Sequence, residues 1–252
     1  KFYAIFLLKP LDHPKWKIRD YTSSHYHKGK DYHHRFNLLS GRNIIWSLEK
    51  KLLKKIIQKI FNKKKFNHLD FAGGTGRIAK FFEKKTLNQT ILDSSKKMTS
   101  YAKSILPNTR IINKDFNNYE VKKKYDLITA FRFFPNAEPK LRQKAFKFIS
   151  KSLNKNGYLV FNNHRNFWSI PYFMERITFR SNGFGMTHRE TLNLLSKNNL
   201  VIDCYYSMGF LTKKESGKLM PWKIISFLEN LLLNFLYTTK LGHNVIYVIK
   251  KK

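Results

Sequence analysis

His68-Leu69-Asp70-Phe71-Ala72-Gly73-Gly74-Thr75-Gly76-Arg77 carries an apolar, strand-like run into three closely spaced glycines. Small residues here let the chain turn sharply from a strand into a helix. Without side chains at Gly74 and Gly76, the backbone can approach a ligand closely while the first N–H groups of the helix remain available to donate, as a nucleotide-binding turn requires. A dinucleotide fingerprint would also need glycine at positions 72 and 77, where Ala72 and Arg77 stand, so that reading fails.

Working outward, short apolar runs at His68–Ala72, Thr90–Asp93, Arg110–Asn113, Tyr125–Phe131 and Gly157–Asn162 alternate with helical patterns. One such helix has Met98, Ala102 and Ile105 on one face; another has Leu141, Ala145, Phe148 and Ile149 and is opened by Pro139. This alternation predicts a doubly wound α/β sheet with parallel strands. Before it, Leu48, Leu52, Leu53, Ile56, Ile57 and Ile60 mark an amphipathic helix that ends at the basic run Lys63–Lys65. After it, Thr187 and Glu190 form a capping-box signal for a helix ending near Asn198-Asn199. Two more strands, Leu200–Tyr206 and Asn244–Ile249, flank a long segment containing the apolar helix Trp222–Leu236. The expected organisation is an N-terminal cap and helix over 1–66, then a core over 67–252 with inserts at 165–186 and 208–243.

The order acidic, x, small, x, Gly, x, Gly from Asp70 to Gly76 resembles the first motif of class I S-adenosylmethionine-dependent methyltransferases, with Ala72 in place of the more usual first glycine. Ile91-Leu92-Asp93-Ser94-Ser95, Asp115-Phe116, the strand Tyr125–Phe131 and Gly157–Phe161 resemble that family's later motifs, so the likeness runs in order through residues 67–164. It implies a Rossmann-like fold: a seven-stranded, mostly parallel sheet with the last strand antiparallel and helices on both faces. It also implies S-adenosyl-L-methionine as cofactor, held by Asp70, Ala72, Gly73, Gly74, Thr75, Gly76, Asp93, Ser94, Asp115, Phe116 and Phe131. Asp93, at a strand's C-terminal end, suits the ribose hydroxyls, although an acid there can also cap the following helix. Asp115 and Phe116 would face the adenine. His164 is the candidate general base, because the end of the fifth strand faces the ligand crevice, though a plain hydrogen-bonded histidine fits equally. Arg132, Arg165, Trp168 and Arg176 are the candidate acceptor contacts. A looser likeness, carried by Phe131–Phe134, Asn162-Asn163-His164 and the late insert, is to methyltransferases of polysaccharide and glycolipid biosynthesis. It points to a hydroxyl or amino group on a glycan, lipid-linked or other small-molecule acceptor.

The chain has 252 residues, 42% of them apolar and 15% aromatic, which is not the composition of a disordered segment. Lys and Arg number 49 against 16 acidic residues, a formal charge of +33 that would draw any polyanion. Lys, Asn, Ile and Phe are abundant together, however, so base composition accounts for much of that charge. A nucleic-acid methyltransferase or RNA-binding protein is the rival it raises. The Asn/Asp-Pro-Pro-aromatic tetrad expected of many amino-directed nucleic-acid enzymes is absent, with Phe133-Phe134-Pro135-Asn136 in its place. A second rival is a non-catalytic, methyltransferase-like scaffold. Packing on the core or on a second copy is the expected fate of the apolar stripe of 222–236; lysines 213, 214, 218, 223 and 240 would also suit an anionic membrane. Cys204 is the single cysteine, which excludes an intramolecular disulfide and suits a reducing cytoplasm. No metal site is expected from the histidine spacing.

Overall fold

The computed structural model describes residues 29–34, 41–177, 185–211 and 221–252. Seven strands form one sheet: β1 (Phe66–Phe71), β2 (Thr86–Asp93), β3 (Arg110–Asn113), β4 (Tyr125–Ala130), β5 (Leu153–His164), β6 (Leu200–Met208) and β7 (Asn244–Lys251). Their spatial order is β3-β2-β1-β4-β5-β7-β6. The first five strands pair in parallel, and β7 enters between β5 and β6 antiparallel to both. The chain reverses direction across the sheet between β1 and β4, which is where an open α/β sheet leaves a crevice at its strands' C-terminal ends.

Two-residue periodicity divides each strand between the two faces. Leu69, Phe71, Ile128, Ala130, Leu159, Phe161, Val245, Tyr247 and Ile249 meet α5 (Pro139–Ser152) and α7 (His188–Ser196). Leu127, Val160, Ile246 and Val248 face the other way, toward α2 (Gly41–Phe61), α3 (Arg77–Phe82) and α8 (Trp222–Leu236). α4 (Lys96–Ile105) packs through Ala102 and Leu106 near Ile91, and α1 (Gly29–His34) lies on it, with His33 against Tyr101. The seven strands and the antiparallel last strand are as the sequence led us to expect. The boundaries differ. β2 begins four residues earlier and α2 seven residues earlier than the apolar pattern marks. β5 begins four residues before Gly157 and takes in an irregularity there, with Asn156 at φ 64°. α2 buries Leu48, Leu53, Ile56 and Ile57 in the cluster that also holds Leu127 and Val160 of the sheet, so it forms part of that core layer.

α8 departs from the expected packing. Glu229 is fully buried (0% exposed), and its carboxylate accepts the Phe210 N–H at 3.0 Å and the Leu211 N–H at 2.7 Å, backbone donors just past β6. At about 100° per residue, an inward Glu229 turns positions 227 and 231 to the opposite side of the helix. Phe227 is 68% and Phe235 75% exposed, and Ile224 and Leu231 share their face. Only Ile225 and Leu233 among the helix's apolar residues are buried. Inward placement of Glu229, which satisfies one buried and one part-buried amide, accompanies the outward turn of the apolar stripe.

Candidate active site

The turn after β1 is left-handed at three positions: Ala72 (φ 52°), Gly74 (φ 55°) and Gly76 (φ 74°). At Ala72 a Cβ is held in a conformation that costs an L-residue roughly 1–2 kcal/mol. Gly73 is required for a different reason. A Cβ there would lie 2.8 Å from the Asp70 carboxyl carbon. At Gly76, the N-cap of α3, it would lie 2.9 Å from Leu106 Cδ1.

Asp70 supports this turn from below. Its carboxylate accepts the Thr129 hydroxyl at 2.8 Å and the Ala79 N–H at 3.2 Å, and it is 1% exposed. Since Thr129 donates to Asp70, its oxygen must accept from His68 Nε2, 2.8 Å away; His68 Nδ1 then accepts from Gln89 Nε2 at 3.2 Å. The imidazole is thereby fixed as one neutral tautomer. Burial lowers the His68 pKa to about 3 and raises that of Asp70 to about 7, the latter opposed by its hydrogen bonds to Thr129 and Ala79. Asp70 thus shapes the loop and does not line the cavity above it.

That cavity lies over the C-terminal ends of β1, β2 and β3 and is lined by Phe71, Ala72, Leu92, Asp93, Ser94, Lys114, Asp115, Phe116, Phe133 and Leu141. Asp93 stands on one side: Oδ2 accepts the Gly74 N–H at 2.9 Å and Oδ1 the Ser95 N–H at 2.8 Å. These two bonds orient the carboxylate toward the turn. The helix-capping role falls to Ser95, whose hydroxyl accepts the Met98 N–H. On the other side Asp115 accepts Asn117 N–H at 2.8 Å and begins a short turn that presents Phe116. Phe71, Phe116 and Phe133 pack edge-on, with centroids 4.9 to 6.0 Å apart, as the apolar wall between the two acids. A flat aromatic base against that wall, with a diol at Asp93, fits an adenosine.

Phe131 lies elsewhere: it packs on the α2 side of the sheet. Strand alternation sends it there with Leu127, and Arg132, at φ 63°, then swings Phe133 across to the cavity. Thr75 is buried within the turn at 2% exposure.

The candidate acceptor residues cluster beyond Phe133. The Arg132 N–H donates to Asn162 Oδ1 at 2.6 Å. Arg165, at φ 61°, donates through Nη2 to Pro135 O (2.9 Å) and Asn136 Oδ1 (3.1 Å). His164 Nδ1 is buried with no hydrogen-bond partner, and burial together with the nearby Arg165, Arg132 and His243 holds its pKa well below the usual histidine value. Trp168 is exposed at the start of the segment leading to α6 (Ile170–Ile177). The Arg176 side chain lies outside the described residues, as do lysines 213, 214 and 218.

Sequence reasoning missed the polar support of this region. Glu49 of α2 is fully buried, 2.7 Å from Arg77 Nη1, and its other oxygen accepts from Asn244 (3.2 Å) and Asn162 (3.5 Å). Arg77 also stacks 4.1 Å from the Trp46 ring. The signal available was one acid in the apolar half of a lysine-rich helix. Lys114 and Leu141 of the cavity were missed too, and nothing in their local pattern distinguishes them. Among the described residues no group of His, Cys, Asp and Glu converges as a metal site.

Residues 69–157 match a family described as a methyltransferase domain. No curated protein matches the chain. Solved structures do, at low identity. One is an S-adenosylmethionine-dependent methyltransferase from Thermotoga maritima, described as a possible histamine N-methyltransferase (TM-score 0.62, 16% identity, 88% of this chain and 96% of that one). Another is magnesium protoporphyrin IX methyltransferase from Synechocystis PCC 6803 with bound S-adenosylmethionine (TM-score 0.59, 12% identity, 93% and 95%). A third is the N-methyltransferase NodS from Bradyrhizobium japonicum with S-adenosyl-L-homocysteine (TM-score 0.54, 12% identity, 81% and 87%).

Proposed function

From the premise that the chain carries a class I S-adenosylmethionine-dependent methyltransferase domain, we propose that it methylates a hydroxyl or amino group of an acceptor seated beside Arg132, His164 and Arg165. The observation that carries this is the cavity between Asp93 and Asp115, walled by three phenylalanines. The bound cofactor supplies a methyl group on a cationic sulfonium, open to direct displacement. What the protein adds is alignment, together with removal of a proton where the acceptor carries one. Asp93 and Asp115 fix the adenosine end, and the aromatic wall excludes water. His164 is the candidate to accept the acceptor's proton, although its burial and the nearby Arg165, Arg132 and His243 disfavour its protonated form, so the role requires the bound acceptor to change those surroundings.

A lipid-linked or glycan acceptor is the class we favour, with the enzyme peripheral to an anionic membrane on the cytoplasmic side. Support comes from the outward stripe of Ile224, Phe227, Leu231 and Phe235 on α8, with Lys223 exposed beside it. It also comes from the exposed Ile170, Phe173 and Met174 of α6, whose first N–H bonds to Leu241 O just beyond α8. Apolar side chains bordered by lysines, on a chain of charge +33, match the chemistry of an anionic bilayer surface. The single cysteine accords with a reducing compartment.

Calorimetric titration with S-adenosylhomocysteine, with NAD as control, tests the cofactor half. Binding should be selective and fall at least tenfold in Asp93→Ala and Gly74→Val. No binding by the folded chain would refute the enzyme reading and return the scaffold, and RNA binding with a steep salt dependence would favour the nucleic-acid alternative.

A further inference from the structure

Building on the methyl-transfer reading, we propose that His68 and Gln89 are positioning residues for the cofactor, which hold the glycine turn through a closed ring of hydrogen bonds around the start of α3.

The turn leaves α3 without a cap of its own. Gly76 is its N-cap, at φ 74° and with Leu106 against it, so no side chain there can accept from the helix. The Ala79 N–H is among the first donors of the helix, which find no acceptor within it. Asp70 supplies one from β1: Oδ2 accepts that N–H at 3.2 Å, as an N-cap side chain would. The Ala79 carbonyl is also released. The Glu83 N–H, which an α-helix would direct to it, bonds to Lys80 O, and Ala79 O accepts from Gln89 Nε2 at 2.8 Å.

That bond decides how Gln89 is turned. A carbonyl can only accept, so the amide nitrogen faces Ala79 O, while Oε1 accepts the Thr109 hydroxyl at 3.0 Å. The second amide hydrogen goes to His68 Nδ1. His68 Nε2 then donates to Thr129, Thr129 donates to Asp70 Oδ1, and the ring closes on Ala79 through Oδ2. Each hydrogen in it is used once, which requires a neutral His68 protonated at Nε2. Protonation at Nδ1 would set two donors against each other at Gln89.

The strand register builds this ring, because His68 pairs with Gln89 on β2 and Asp70 pairs with Thr129 on β4. His68, Thr129 and Asp70 are all buried, and the Phe66 and Phe82 rings stand edge-on to the imidazole at 6.3 and 5.3 Å. A fully satisfied polar network in such surroundings is rigid. Its rigidity reaches the turn directly. The Asp70 carboxyl carbon lies 2.8 Å from where a Gly73 Cβ would stand, Gly73 O accepts the Gly76 N–H at 2.9 Å, and Ala72 lines the adenosine cavity.

The test is calorimetric titration with S-adenosylhomocysteine, held well below each variant's melting temperature. His68→Leu and Gln89→Leu should each weaken binding about tenfold, the effect of losing one net hydrogen bond. His68→Gln, whose amide can donate to Thr129 and accept from Gln89, should recover part of the loss. Leu159→Ala, which truncates the core on the opposite face of the sheet, should lower the melting temperature and leave affinity unchanged. Hydrogen exchange at the Ala79 amide should quicken more in both leucine variants than in Leu159→Ala. In the unaltered chain the His68 ring, assigned through His68→Gln, should show one neutral form protonated at Nε2, which keeps the test valid if a leucine variant fails to fold. Unchanged affinity in both leucine variants, an equal loss in Leu159→Ala, no faster exchange at Ala79, or a ring protonated at Nδ1 would overturn the positioning role and leave the cofactor reading standing. A folded parent chain that shows this ring and binds no S-adenosylhomocysteine would instead refute the cofactor reading.

Discussion

Replacing Glu49 by glutamine should destabilise the protein by about 3–5 kcal/mol, the range for removing one member of a buried ion pair. The geometry places this site at the severe end of glutamate replacements. Glu49 is fully buried and accepts on both oxygens, from Arg77 on one and from Asn162 and Asn244 on the other. A glutamine offers an acceptor on one side only. Whichever way its amide is turned, a donor meets a donor, and Arg77 loses its carboxylate. For a chain of this size 1 kcal/mol corresponds to roughly 2–4 °C in melting temperature, so calorimetry should show a fall of about 6–20 °C, and urea unfolding a lower midpoint at unchanged slope. Because Arg77 begins α3 directly after Gly76, affinity for S-adenosylhomocysteine should fall with it. The double replacement Glu49→Leu with Arg77→Met removes both charges together and should be less destabilised than either single variant. A loss below about 1 kcal/mol in Glu49→Gln, or strict additivity in the double variant, would refute the claim that this pair anchors α2 to the cofactor turn.

Gly73→Ala should destabilise by about 1–3 kcal/mol and abolish measurable S-adenosylhomocysteine binding, since its Cβ meets an Asp70 carboxyl fixed by two hydrogen bonds; calorimetry checks both. The Asp70–His68 chain predicts two opposite pH dependences. Asp70, raised from 3.8 to about 7, contributes stability that is full below pH 4 and lost as pH rises toward 7; His68, lowered from 6.5 to about 3, contributes stability that is full above pH 6.5 and lost as pH falls toward 3. In Asp70→Asn stability should therefore rise with pH between about 3 and 6.5, and in His68→Gln it should fall between about 4 and 7, each by up to about 1.4 kcal/mol per pH unit. Urea titrations at two pH values read the slopes, and slopes of equal sign would count against the assignment. Phe227→Asp combined with Phe235→Asp should leave the fold and cofactor affinity intact while abolishing co-sedimentation with phosphatidylglycerol vesicles. Retained sedimentation would exclude α8 as the membrane face.

The sheet was legible because its information is local. Each strand is a short apolar run, and two-residue alternation sorts Leu69 and Phe71 to one face and Leu127 and Val160 to the other without reference to any distant residue. The glycine turn was legible for the same reason, as was Asp93 at the end of its strand. What escaped depends on partners far along the chain. Glu49 meets Arg77 28 positions away and Asn244 195 positions away, so nothing in its own helix shows that it is the buried anchor of the turn. Phe131 and Phe133 have the same parity and look equivalent; one left-handed residue, Arg132, sends them to opposite faces.

The helix α8 shows how such a distant requirement redirects a surface. Its apolar periodicity is genuine, but two backbone amides beyond β6 need an acceptor, and Glu229 is the residue that reaches them. An unsatisfied buried amide costs about 1–3 kcal/mol, and Glu229 answers two donors at once, one of them buried and one part-buried. The rotation that satisfies them exposes Phe227, Leu231 and Phe235 together, so the same two hydrogen bonds that close the end of β6 also create the apolar stripe that a membrane would meet. Glu229→Leu should reverse that balance. With the carboxylate gone, the helix loses its reason to face Glu229 inward, and both the stability of the β6 end and vesicle binding should decline together.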